Sequence, residues 1–127
     1  MQAVDTNVLV RLVVRDDVRQ VEAAETFVAK GAWVSLLVLA EMVWVLDAAY
    51  ELERARIAMA VEMLLCHSDL TIQDADVVEA ALSHFRKHAK VGFSDCLVLE
   101  IAKKAGHTPL GTFDRALGKV GGAVRIG

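Results

Sequence analysis

No C-x-x-C pair occurs in this chain, and its two cysteines, Cys66 and Cys96, each sit inside an apolar helical pattern. Zinc-ribbon and thioredoxin-type chemistry therefore lack their key residues, and both thiols read as reduced core groups of a cytoplasmic protein. No uninterrupted apolar run reaches the roughly 18 residues that a membrane span needs; the longest, residues 32–46, is broken by Glu41. A basic start leading into an apolar run and a small-residue cleavage site is missing too, so no secretory signal is read. Aromatics are few, with two Trp, one Tyr and four Phe, and most lie within apolar runs. A base-stacking platform needs exposed aromatics. Trp33, Trp44, Phe27 and Met42 are therefore expected to serve core or dimer packing.

An excess of basic charge is also lacking. The formal net charge is −3, which by itself argues against a nucleic-acid surface. That sum decides little, because setting aside four acids of special placement leaves 14 cations against 13 anions. There is no repeat, linker or low-complexity segment, and the 127 residues are expected to form one domain. With 55% hydrophobic residues and a mean hydropathy of +0.41, the chain is too apolar to be disordered.

What is present is four acids in apolar surroundings. Asp5 is the only charge in residues 1–10, Glu41 the only charge in residues 32–46, Asp95 sits in GFSDCLVL, and Asp114 ends TPLGTFD. An isolated buried carboxylate is costly unless it is paired, protonated or bound to a cation. Four of them at the ends of expected strands and helices suggest one shared site for a hard divalent metal.

The pattern of the chain supports that placement. Short strands are expected at residues 2–5, 33–36, 70–73, 108–113 and 123–126. Helices are expected at about 18–30, 37–50, 53–66, 75–89 and 95–105, with one starting straight after Asp5 and a short one at 115–120. The 37–50 helix is apolar on most faces and expected to be deeply buried. Asp74 is a candidate cap for the 75–89 helix, and Ser94 or Asp95 for the one after it. Strands alternating with helices indicate a mainly parallel sheet of four to five strands covered on both faces, a three-layer α/β/α sandwich. Ligand sites in such sheets form at the carboxyl ends of the strands. Asp5 and Asp114 directly follow strands, and Glu41 and Asp95 are expected in the first turns of helices at that edge.

Oxygen-only ligands suit magnesium or manganese. Such ions lower the pKa of water and orient phosphate, and a pair about 4 Å apart can clamp both oxygens of a phosphodiester displacement. Each acid also has a purely structural role open to it. Asp5 and Asp95 can cap helices, Asp114 can shape a turn, and Glu41 can pair with a buried arginine such as Arg11.

These residues carry a resemblance. VDTNVLV, LAE at the third long helix, FSDCLVLEIAKKAG and TFDR are similar to the motifs of the PIN domain family, most closely the single-domain VapC toxins of toxin–antitoxin pairs. The resemblance covers essentially the whole chain. It implies a magnesium- or manganese-dependent endoribonuclease with Asp5, Glu41, Asp95 and Asp114 as its acidic quartet, leaving a 5′-phosphate and a 3′-hydroxyl. It further implies a homodimer silenced by a VapB-like antitoxin. Asn7 and Thr112 fall where the family often carries polar support, and Ser35 ends the second strand; such small polar residues also serve as turns and caps.

HFRKHAK (84–90) is the densest basic stretch, and Arg86, Lys87 and Lys90 are its candidates for gripping an RNA backbone. The same cations also suit a solvated helix end. His84 and His88 share a helical face but lack a third ligand for zinc. Arg11 and Arg15 share a face of the first helix, for RNA, partner acids or solvent. The competing classes are a PIN-like module that binds RNA or a partner without cutting, and a signalling receiver. The receiver needs an acidic pair after strand one and an aspartate ending strand three, where this chain has single Asp5 and Gln73.

Overall fold

Every strand pairing in the computed structural model, which describes residues 1–127, is parallel. The α/β class expected from the alternating pattern is what forms. Its five strands make two sheets, of three and two strands, rather than one. The backbone groups into two units, residues 1–75 and 76–127.

In the first unit, β1 (Gln2–Ala3), β2 (Ala32–Val34) and β3 (Leu70–Ile72) lie side by side in that order. The helices between them are α1 (Thr6–Val14), α2 (Val18–Val28), α3 (Leu36–Ala48) and α4 (Arg54–Cys66). Strand side chains alternate between faces: Ala32, Val34, Leu70 and Ile72 are buried, while Trp33 and Thr71, paired across the ladder, face outward. Helix α1 packs on α2 and α3, and α4 packs on β3. Leu9, Val34, Leu39, Met42, Leu46, Val61 and Leu64 form the innermost layer.

Two expectations change here. The expected second strand, 33–36, stops at Val34, because the Ser35 hydroxyl accepts the Val38 N–H at 3.1 Å and starts α3. The Gln73 side chain caps the same helix by accepting the Leu36 N–H at 2.9 Å. Helix α3 is also not buried all round. It buries Leu39, Met42, Val43 and Leu46 but leaves Leu37 71% and Trp44 69% exposed. A helix packed on one side can hide only that side, however apolar its sequence. Met42 is core as expected, whereas Phe27 and Trp33 are partly exposed. Cys66, at the last turn of α4, is exposed, and only Cys96 is a core thiol.

In the second unit, α5 (Ala75–Lys87) and α6 (Phe93–Lys104) contribute Val78, Leu82, Phe85, Phe93, Cys96, Leu97 and Leu99 to the core. The Phe85 and Phe93 rings meet edge to face with centroids 5.7 Å apart, a favourable aromatic geometry. Then follow β4 (Leu110–Thr112), a 3₁₀ turn (Leu117–Lys119) and β5 (Ala123–Arg125), with β5 parallel to β4. Gly118 lets the turn approach β5 closely, since a Cβ there would sit 2.9 Å from Arg125 Cβ. Helix α6 starts earlier than expected. Gly92, in extended conformation, is its N-cap, so Ser94 and Asp95 lie inside the first turn and neither caps it.

Candidate functional site

Parallel strands place their carboxyl ends on one edge. In the first unit that edge carries Asp5, two residues past β1, and Ser35 and Gln73, which directly follow β2 and β3. Asp5 is in extended conformation, and its Oδ1 accepts the Val8 N–H at 3.2 Å, capping α1. Thr6, the first residue of α1, donates its hydroxyl to Glu41 Oε2 at 2.7 Å. This bond joins positions 35 apart in sequence and brings Glu41 to the corner that Asp5 opens. Glu41 lies in the second turn of α3, one turn later than expected.

Asn7 is exposed and borders a shallow cleft of about 320 Å³ with Arg11, Gln20 and Phe27. Ser35 acts as the helix cap described above. Arg11 does not pair with Glu41. It binds Asp16 at 2.6 Å, and that hydrogen bond raises its pKa above the ordinary arginine value. Arg15 pairs with Glu25 at 3.4 Å. Arg11 of α1 and Arg15, the left-handed C-cap just beyond it rather than a residue of its face, are thus both engaged by acids of their own unit.

In the second unit, Asp95 is half-buried in the first turn of α6. Asp114 follows β4, and its Oδ1 accepts the Leu117 N–H at 2.8 Å, building the 3₁₀ turn. The Thr112 hydroxyl accepts the Asp114 N–H at 3.0 Å and holds the same corner. Arg86, Lys87 and Lys90 are exposed at and just beyond the end of α5.

The quartet differs from expectation in burial. Asp5, Glu41 and Asp114 are exposed and Asp95 is half-buried. Their apolar neighbours in sequence turn inward, and the carboxylates turn out toward water. No three His, Cys, Asp or Glu side chains are gathered into a metal-holding group. The fit to a divalent cation rests on donor chemistry. The donors are hard oxygens, and capping or bridging engages one oxygen each of Asp5, Glu41 and Asp114, leaving the second to face a ligand.

Three further side chains matter that the four acids' pattern does not point to. Thr6 lies inside VDTN and could have been marked by that motif, and Gln73 ends the LTIQ run. Glu100 is the only charge in residues 96–102 and the only buried charged residue, 8% exposed. Burial pushes its carboxyl pKa up. Hydrogen bonds from Lys103 and His84, with the charges they bring, outweigh this and hold it below the ordinary value. His84 Nε2 lies 2.9 Å and Lys103 Nζ 3.0 Å from Glu100 Oε2, so His84 ties α5 to α6.

The family model described as PIN domain matches residues 3–123. No curated protein and no solved structure matches the chain.

Proposed function

The chain belongs to the PIN domain family, whose members are generally nuclease modules acting on nucleic acid and usually using divalent metals, and from that premise we propose that it is a metal-dependent endoribonuclease, the toxin of a VapBC-type pair. Residues 1–127 act as one PIN domain in this reading, because the family match runs across both backbone units. Asp5, Glu41, Asp95 and Asp114 would hold magnesium or manganese. The bound ion supplies a lowered pKa for the attacking water and charge neutralisation on the phosphate. Hydrolysis then forms a bond from water oxygen to phosphorus and breaks the bond to the 3′ oxygen, giving a 5′-phosphate and a 3′-hydroxyl.

The observation that carries the reading is the Thr6–Glu41 hydrogen bond at the Asp5 corner. It ties Glu41 of α3 to Thr6, the residue after Asp5, and so supports a shared use of these two acids near the strand edge where parallel sheets bind ligands. Asp114 is shaped in the same manner by Thr112 and its own cap. In this reading Ser35 and Thr112 support the acids as caps and turn-formers, Asn7 borders the corner, and Arg86, Lys87 and Lys90 grip the RNA backbone.

A homodimer and a VapB-like antitoxin complete the proposal, in the cytoplasm. No helix is long and apolar enough to cross a membrane. Helix α4 offers Met59 and Met63 at an apolar groove of about 450 Å³ with Val13 and Leu52, a surface suited to such partners.

Labelled structured RNA incubated with magnesium, manganese or EDTA, beside Asp95→Asn, tests the reading. Cleavage by wild type with metal only, lost in the folded variant, is the expected result. Equal cutting by both proteins, or metal binding by neither in calorimetry, would leave a non-catalytic binding module instead.

A further inference from the structure

Gln73 bridges the corner where β2 becomes α3. Its backbone N–H donates to the Val34 carbonyl at 2.9 Å, one step past the end of β3, and its side-chain Oε1 accepts the Leu36 N–H at 2.9 Å. The two bonds fall on either side of Ser35. Ser35 caps α3 locally, through the Val38 N–H three residues on. An N-cap side chain reaches the second or third helical N–H and leaves the first without a partner. Leu36 is that first residue. Water could satisfy its N–H at this edge, but only a side chain from another strand also fixes where the helix start lies.

Helix α3 needs such fixing. Its inward side buries Leu39, Met42, Val43 and Leu46, and its outward side carries the equally apolar Leu37 and Trp44. Burial therefore specifies the rotation of α3 only weakly, because apolar contacts favour burial without directing it. Hydrogen bonds are directional. Two from other elements hold α3, Gln73 at Leu36 and Thr6 at Glu41. At 1.5 Å per residue these ties lie about 7.5 Å apart along the axis. Two ties so spaced fix both the slide of the helix and its turn.

We propose that Gln73 is a positioning residue, which sets where α3 presents the Glu41 carboxylate. The proposal rests on the reading of Glu41 as a metal ligand. Magnesium demands oxygen ligands at about 2.1 Å in near-ideal octahedral array. The first two turns of a helix move as one body, so a slide of α3 at Leu36 passes undiminished to Glu41. Gln73 touches neither metal nor substrate in this assignment and acts through α3. Ser35 is the matched comparison, since it caps the same helix without tying it to another strand.

The test compares wild type, Gln73→Leu, Gln73→Asn, Gln73→Glu and Ser35→Ala without RNA. Magnesium binding is read by calorimetry, unfolding by circular dichroism, and protection of the Leu36 amide by hydrogen exchange. Leucine removes the acceptor, asparagine falls one methylene short, and glutamate keeps an acceptor at the same reach. Gln73→Leu, Gln73→Asn and Ser35→Ala are expected to fold and to lose a similar few degrees of Tm, about 3–5 °C. The magnesium Kd is expected to rise about 10-fold in Gln73→Leu and Gln73→Asn, the low end for residues that support metal ligands. In Ser35→Ala it is expected to stay within about 2-fold of wild type. Gln73→Glu is expected to recover the Leu36 protection and to bring the Kd back to within about 3-fold. A Gln73→Leu protein that fails to fold leaves the Asn and Glu variants to decide. Wild-type affinity in the Leu and Asn variants, or an equal loss in Ser35→Ala, would overturn the assignment and leave Gln73 as a helix cap alone. A Gln73→Glu protein that regains the protection but not the affinity would overturn it too. Each of these outcomes leaves the metal site of the wild type standing. No magnesium binding by the wild type would instead sink the metal reading, and this assignment with it.

Discussion

Asp5 has a cap role and a proposed metal role that substitution can separate. Its Oδ1 caps α1 through Val8 N–H, and the proposed function gives its charge to a metal. Asp5→Asn keeps an oxygen at the cap and removes the charge, whereas Asp5→Ala removes both. An N-cap lost to alanine costs about 1 kcal/mol. The 3.2 Å bond is at the long end of the range, which points to roughly 0.5–1 kcal/mol here. The first turn of α1 holds no other acid, so Asn also gives up the carboxylate's interaction with the helix dipole, worth a few tenths of a kcal/mol. For a chain of 127 residues, 1 kcal/mol moves Tm by about 3–5 °C. Thermal unfolding by circular dichroism at pH 7 is expected to show Ala about 2–4 °C below wild type and Asn within about 1–2 °C. RNA cleavage in magnesium is expected to vanish in both. Wild-type cleavage by Asp5→Asn would make Asp5 a cap and nothing more. An Asn variant melting as low as Ala would refute the hydrogen-bond account of the cap.

The other caps and the buried carboxylate give further tests. Ser35→Ala removes the acceptor for Val38 N–H and is expected to cost about 1 kcal/mol while keeping wild-type metal dependence. A shifted metal requirement would instead return Ser35 to the site. Glu100 has a depressed folded-state pKa, so its stabilisation is complete above the ordinary value of 4.5 and is lost as pH falls through the lower folded value. The Tm of the wild type is therefore expected to drop more steeply between pH 5 and 3 than that of Glu100→Gln; parallel slopes would show that the His84–Glu100–Lys103 group does not stabilise the fold.

Element positions were legible because apolar runs end at residues with plain backbone roles. Asp5 caps α1 and Asp17 caps α2, and Gly31 and Gly106 take positive φ just beyond helices. The edges that were misread share a cause. Ser35 suits a strand end and Ser94 or Asp95 a cap as well as the roles they take, because these chemistries fit either state locally, and the backbone of Ser35 and Gly92 makes the choice. Burial of the acids was misread because a charge inside an apolar run looks buried when only its sequence neighbours are considered. Glu41, like Trp44, sits on the outward stripe of a helix whose other side carries the core.

The chain's pattern alone determined the α/β class, the parallel strands and the positions of Asp5, Asp95 and Asp114 at strand ends and a helix start, since these follow from periodicity and from capping within about four residues, whereas Glu41 lies a turn further into α3. Only the tertiary structure decided that Thr6 reaches Glu41, that Gln73 caps α3, that His84 meets Glu100, and that Trp44 faces water. Those contacts join residues 16 to 37 positions apart, or depend on which helix side finds the core. Strand register and helix packing set them, and neither is encoded in any short stretch of sequence.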